Sequence, residues 1–239
     1  MKLLIFDVYQ TLLLVESFPP SQDRFDRLLT EFSLPQNSPP SLSDLQATLE
    51  ELIRRDHAAA KAAGIGQPEV NWPRLLLEAL PAAGGMSQEQ LIRFSAGVMA
   101  CQRRVSLMPG AEQTLHLARQ LGLTLGILSN AQAYTPIELD EALQPWNLSL
   151  DLFHPDFVFW SFEHGFAKPD PYCFRILTSR AEAIGHLPSS IWLVGDRLDN
   201  DIQPSLRQGW QAWHLSRQPQ CATGGDHAAL QNFLQKTLC

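Results

Sequence analysis

Three short apolar runs, each stopped by a polar residue, constrain this chain more than any other feature. Leu3-Leu4-Ile5-Phe6 ends at Asp7, Leu123-Thr124-Leu125-Gly126-Ile127-Leu128 at Ser129, and Ile191-Trp192-Leu193-Val194 at Gly195-Asp196. Continuous apolar runs of this length suit strands buried on both faces of a parallel sheet. Phe157–Trp160 and Gln211–Leu215 read as two more strands. Helical patterns fill the intervals: Ala111–Leu121 after Pro109-Gly110, Pro171–Ile184 and Asp201–Gln208. Strands alternating with helices predict βαβ units with right-handed crossovers, hence an α/β fold.

Residues 16–105 break that alternation. No convincing strand is read there. Asp23–Phe32, Leu42–Ala63, Trp72–Leu80 and Ser87–Arg104 carry helical patterns, with Ser41, Asn71 and Ser87 near the helix starts. Pro35 to Ser41 and Pro81 to Gly85 read as loops. The expected organisation is an α/β core of residues 1–15 and 106–239, with a helical cap of residues 16–105 over a site at the strand ends.

Composition narrows the function. The 239 residues are 45% hydrophobic and 18% charged, against about 25% charged in an average protein, so the chain is not a disordered one. A net charge of −7 without a long basic run argues against a general nucleic-acid binder. A small anionic substrate remains compatible, because one buried lysine outweighs the net field locally. Lysine is scarce: Lys2, Lys61, Lys168 and Lys236. Cys101, Cys173, Cys221 and Cys239 lie far apart, without the spacing of a disulfide framework or zinc site. With four apolar residues before Asp7 and no run near the roughly 18 residues of a membrane span, a cytoplasmic protein is expected.

Ligands of open α/β sheets bind beyond the carboxyl ends of the strands. The residues to inspect are therefore Asp7, Tyr9 and Thr11 after the first run, Ser129 and Asn130 after the second, and Gly195 and Asp196 after the third. Gly165-Phe-Ala-Lys168-Pro169-Asp170-Pro171 adds a lysine. Each piece alone is commonly a turn or a cap; their order and placement make coincidence a poor account. Such a set can supply a nucleophile in Asp7, a charge partner in Lys168, and oxygen ligands for Mg²⁺ in Asp7 and Asp196.

In those four segments the chain resembles the haloacid dehalogenase superfamily of hydrolases. Leu3-Leu-Ile-Phe-Asp7-Val-Tyr9-Gln-Thr11-Leu12 is similar to the first motif, Leu125-Gly-Ile-Leu-Ser129-Asn130 to the second, and Ser161 to Pro171 to the third. Val194-Gly195-Asp196-Arg-Leu-Asp-Asn-Asp201 resembles the fourth. The resemblance implies a Rossmann-like parallel sheet with a helical cap inserted after the first motif. It also implies that Asp7 is a covalent nucleophile and that Thr11 and Ser129 bind the transferring group, while Lys168 neutralises charge. Asp196 would hold Mg²⁺ with Asp7 and the Tyr9 backbone carbonyl, and Asp201 would support that shell.

Two positions depart from the pattern. Tyr9 stands where the superfamily's phosphatases carry an acid/base aspartate, and Gln10 replaces a small residue. Tyrosine there resembles the 2-haloacid dehalogenase branch, which needs no metal, yet the Gly-Asp-x-x-x-x-Asp motif of the metal-using branch is kept. Hydrolysis of a small organic phosphate is the leading expectation. Carbon–halogen hydrolysis, or a catalytically weak binding protein, are the alternatives. The first motif and the Ser129-Asn-Ala-Gln132 and Pro68-Glu69-Val70 strings also resemble uncharacterised members of the superfamily. In the cap, Arg54, His57 and Lys61 share one helical face and are candidate substrate contacts, although a solvated stripe explains the spacing as well. Trp160 and Trp192 are expected to pack in the core.

Overall fold

The computed structural model describes residues 3–34, 40–218 and 223–238. The loop expected from Pro35 falls largely outside them, as do Lys2, Cys221 and Cys239. The chain runs β1 (Leu3–Phe6), β2 (Leu13–Ser17), α1 (Gln22–Glu31), α2 (Leu42–Ala62), α3 (Trp72–Ala79), α4 (Gln88–Ala100) and β3 (Arg103–Leu107). It continues with α5 (Ala111–Gln120), β4 (Thr124–Ser129), α6 (Thr135–Leu143), β5 (Val158–Trp160), α7 (Ser161–His164) and α8 (Pro171–Ala183). The final elements are β6 (Ile191–Gly195), α9 (Gln203–Arg207), β7 (Gln211–Leu215), β8 (Gly224–Gly225) and α10 (His227–Leu238). No helix among the described residues is long and apolar enough to cross a membrane.

Six parallel strands form one sheet in the order β5-β4-β1-β6-β7-β8. All four residues of β1 are buried, because the strand lies at the centre of a sheet covered on both faces. Leu4 and Phe6 join one apolar cluster with Leu115, Leu139 and Leu230 from α5, α6 and α10. Leu3 and Ile5 join another with Phe174 and Leu177 from α8 and with Trp210. Each such side chain contributes about 1.5–3 kcal/mol on burial, and β1 contributes to both layers. From β1 the chain moves outward first to β4 and β5, then to β6, β7 and β8 on the other side. The reversal of strand order falls at β1, where a site is expected.

Helices α1 to α4 share their own apolar cluster, with Phe25, Leu45, Leu75 and Phe94 buried in it. The oxygens of Ser21, Ser41 and Asn71 accept N–H bonds at the starts of α1, α2 and α3. Ser87 and Gln90 form a reciprocal capping box on α4. Each cap is worth about 1 kcal/mol.

Two strands occur where none was expected. Leu13–Ser17 and Arg103–Leu107 pair antiparallel, Leu13 opposite Leu107 and Ser17 opposite Arg103. The helix expected over Ser87–Arg104 therefore stops at Ala100. Local periodicity could not reveal this, because the partner strand lies some ninety residues away and pairing overrides propensity. The helical block thus leaves and rejoins the sheet through a two-stranded ribbon. One core helix also differs: the helix expected over Asp201–Gln208 begins as a wide π turn, Leu198–Ile202, before α9.

Candidate active site

Asp7 emerges at the carboxyl end of β1, where its N–H donates to the Val194 carbonyl at 2.9 Å and continues the ladder to β6. The residue is 7% exposed. The Lys168 ammonium, from the loop before α8, donates to Asp7 Oδ1 at 2.7 Å and to Asp201 Oδ1 at 2.6 Å. Lys168 and Asp201 are still more deeply buried, at 4% and 1%. Half-buried Asp196 completes the group: one carboxylate oxygen each from Asp7, Asp196 and Asp201 lie within 4.8 Å of one another. The Thr11 hydroxyl donates to Asp7 Oδ2 over a long 3.4 Å.

Backbone geometry fixes these groups. A Cβ at Gly195 would lie 2.6 Å from the Asp201 carboxyl, so only glycine lets β6 end against that side chain. The Arg197 N–H donates to Asp201 Oδ2 at 3.0 Å, and His214 Nε2 lies 3.1 Å from the Asp196 carbonyl. Asn130 clamps Lys168 through the main chain. Its Oδ1 accepts from Lys168 N at 2.7 Å and its Nδ2 donates to Lys168 O at 3.0 Å. Ser129 is wholly buried at the end of β4. Next to Tyr9, Gln10 takes a left-handed φ of 60°, the conformation that turns the loop back towards Thr11.

Electrostatics follows from burial. Burial is the largest cause pushing the Asp7 carboxyl up to about 7; Lys168 opposes the rise and Asp201 adds to it. Asp196 is raised too, by burial and then by Asp201. Burial alone would pull the Lys168 ammonium down, but Asp201 and Asp7 hold it above its ordinary value. These groups line a cavity of about 210 Å³, with Tyr9, Gln10, Asn130, Arg197 and Asn200 completing its wall. A larger cavity of about 800 Å³ lies elsewhere, between the ribbon, α4 and α6.

Tyr9 presents its hydroxyl to another cluster. It donates to Glu138 Oε2 at 2.6 Å and lies 2.9 Å from Thr135 Oγ1 and 3.3 Å from Arg103 Nη2. Burial first, then the Glu138 charge, push the phenol well above its usual pKa. Glu69, from the loop before α3, accepts from Ser161 Oγ at 2.6 Å and Gln132 Nε2 at 2.7 Å. The Pro68–Phe166 bridge and the Glu69 N–H to Gly165 carbonyl bond tie this loop to the segment between α7 and Lys168. Sequence pattern assigns no site role to Glu69, Arg103, Thr135 or Glu138. A shared string at Pro68-Glu69-Val70 was the one signal available; nothing in spacing links residues 9, 103 and 138. Arg54 and Lys61 are exposed and His57 half-buried on α2, and none of the three lines the Asp7 cavity. Trp160 is buried as expected, and half-buried Trp192 packs against Phe233.

A parallel sheet with a carboxylate–lysine cluster at the carboxyl end of its central strand defines a Rossmann-like α/β enzyme. The chain belongs to the haloacid dehalogenase-like hydrolase family, whose model matches residues 1–207; it is a hydrolase. A phosphoserine phosphatase of Thermus thermophilus is 33% identical over 144 residues, which cover 60% of this chain and 54% of that relative. The match thus spans about half the length of the curated relative. A 2-haloacid dehalogenase of Pseudomonas syringae pv. Tomato superposes with a TM-score of 0.65 at 21% identity, covering 99% of each chain. A phosphatase of the same superfamily from Thermococcus onnurineus gives 0.56 at 19% identity, covering 98% of each. At such identities these two likenesses speak to the fold.

Proposed function

We propose that this hydrolase cleaves a small organic phosphate, with Asp7 as covalent nucleophile and Mg²⁺ as its metal. Charge balance carries the reading. Three carboxylates, Asp7, Asp196 and Asp201, crowd around one ammonium, Lys168. The excess of two negative charges in a largely buried, all-oxygen setting suits a hard divalent cation. Asp7, Asp196 and the Tyr9 carbonyl would hold it, with Asp201 in support. Bound there, Mg²⁺ would stabilise charge on the phosphoryl oxygens as a Lewis acid.

The chain's own residues supply the rest. An Asp7 oxygen attacks phosphorus as the bond to the organic oxygen breaks, leaving an aspartyl phosphate and an alkoxide that takes a proton from water. Water then attacks the phosphorus, the bond to Asp7 breaks, and inorganic phosphate and the carboxylate are released. Lys168 offsets the charge of Asp7, nearby backbone N–H groups donate to the transferring group, and the Thr11 and Ser129 hydroxyls would join them on turning from Asp7 and the Asn130 carbonyl. The Tyr9 proton is committed to Glu138, so position 9 supplies no acid. Substrates whose leaving oxygen is weakly basic are therefore favoured. The helical block of residues 16–105 acts as the cap that excludes water and selects the substrate.

Carbon–halogen hydrolysis is the second reading, favoured by Tyr9, since halide departs without a proton. The excess of carboxylates counts against it, because they repel an anionic haloacid. A panel of phosphate esters and 2-haloacids, each with Mg²⁺ and with EDTA, separates the two. The expected result is phosphate release that EDTA removes and that Asp7→Asn abolishes. Halide release unaffected by EDTA, without phosphate release, replaces the first reading by the second. Activity of Asp7→Asn within tenfold of wild type removes Asp7 from the mechanism.

A further inference from the structure

The Tyr9 hydroxyl lies in a cluster drawn from three distant segments. Arg103, on the returning strand of the ribbon, places Nη2 at 2.7 and 2.9 Å from the two oxygens of Glu138 on α6. The pair is nearly buried, with side chains 13% and 12% exposed. Its guanidinium also stacks over the rings of Tyr9 and Tyr134, at 5.1 and 5.6 Å. Tyr134 in turn meets Trp72 of α3 edge to face at 6.0 Å. The nucleophile loop, the ribbon and α6 therefore meet at the Tyr9 phenol, and the helical block touches the cluster through Tyr134.

A buried ion pair is a poor device for stability alone, since a packed apolar pair of similar size does as well. What it provides is direction: a charged acceptor for the Tyr9 proton and a cation over the ring, each fixed by the other. Within the loop, Gln10 N donates to Leu13 O, while Leu12 and Leu13 both donate to Val8 O. These bonds and the Tyr9–Leu13 bridge hold the turn together internally, and the Tyr9 hydroxyl ties that turn to Glu138 and Arg103 outside it. Asp7 is two residues away, and a misplacement of about 1 Å at a reacting group costs about a hundredfold in rate. Neither Arg103 nor Glu138 lines the Asp7 cavity, so neither reaches a substrate there.

We propose that Glu138 and Arg103 are positioning residues for the reaction at Asp7, acting through the Tyr9 hydroxyl to orient the nucleophile loop. The activity arm of the test rests on the phosphatase reading; the exchange arm does not. Tyr9→Phe, Glu138→Gln, Glu138→Ala and the Tyr9→Phe/Glu138→Ala pair are compared by steady-state kinetics on p-nitrophenyl phosphate with Mg²⁺. Hydrogen exchange over residues 7–13 is followed in the same proteins. Tyr9→Phe and Glu138→Ala are each expected to lower kcat about ten- to a hundredfold while KM stays within about threefold. The pair should be no worse than its weaker parent by more than about threefold, because both changes break one tether. Glu138→Gln, which keeps an acceptor for the phenol, should recover most of the rate. Exchange over residues 7–13 should quicken in both single variants. Multiplying losses in the pair, or a rise in KM alone, overturns the proposal. If wild type releases no phosphate, the phosphatase reading fails and the exchange decides: unchanged protection in Glu138→Ala overturns the proposal, and quickened exchange shared with Tyr9→Phe sustains it. Should Glu138→Ala not fold, Tyr9→Phe, which leaves the ion pair intact, decides by the same measure.

Discussion

Replacing Lys168 by Met removes one ammonium and little volume from the most buried part of the site. In the wild type that ammonium donates at 2.7 Å to Asp7 and 2.6 Å to Asp201. Without it two buried carboxylates face each other, with Asp196 close by. Breaking a buried pair by deleting one partner costs about 3–5 kcal/mol, a large share of the 5–15 kcal/mol typical of a domain. The cost must depend on pH, because the protein can escape it by protonating an acid. A carboxyl whose folded pKa exceeds its unfolded value lends stability below the unfolded pKa, and that stability is lost as pH rises through the folded one. For Asp7 the folded value is about 7 even beside Lys168; deleting the counter-charge moves it higher, so the loss continues to higher pH in the variant. The gap between the two proteins should therefore widen above pH 7. Urea unfolding at pH 5.5 and pH 8.5 without metal measures it. With a slope of about 3 kcal/mol per molar, the variant midpoint should fall by roughly 1–2 M at pH 8.5 and by distinctly less at pH 5.5. A gap equal at the two pH values refutes the charge argument and leaves only lost packing.

Three further outcomes are expected. Millimolar Mg²⁺ should raise the melting temperature more at pH 8 than at pH 6, since the ion competes with a proton on Asp7 whose pKa is about 7; Asp196→Asn should remove most of the shift in a thermal melt. Gly195→Ala places a Cβ 2.6 Å from the Asp201 carboxyl and should destabilise by about 1–3 kcal/mol, read as a lower urea midpoint together with loss of turnover. Glu69→Ala deletes the acceptor of Ser161 Oγ, Gln132 Nε2 and Val70 N; hydrogen exchange should quicken over residues 64–70 and 161–168, while the core strands keep their protection.

The layout of the sheet was legible because a central parallel strand is apolar on both faces and polar where it ends. That rule alone placed β1, β4 and β6 and pointed to Asp7, Ser129 and Asp196 at their ends. Asn71, Ser41 and Ser87 marked helix starts for an equally local reason, since each side chain caps its own helix. The β2–β3 ribbon was not legible. Arg103–Leu107 carries no apolar run, and its strand conformation comes from pairing with Leu13–Ser17.

The same division holds at the site. Short-range pattern determined which residues stand at the sheet edge, and the motif order determined the family. Only the tertiary structure decided what each does there. Asn130 holds the Lys168 main chain, the Tyr9 hydroxyl goes to Glu138 rather than to a reacting atom, and Glu69 reaches across from the helical block to Ser161. Sequence encodes such contacts at separations of 38, 129 and 92 residues. No local periodicity spans those distances, because they are set by how the folded layers pack.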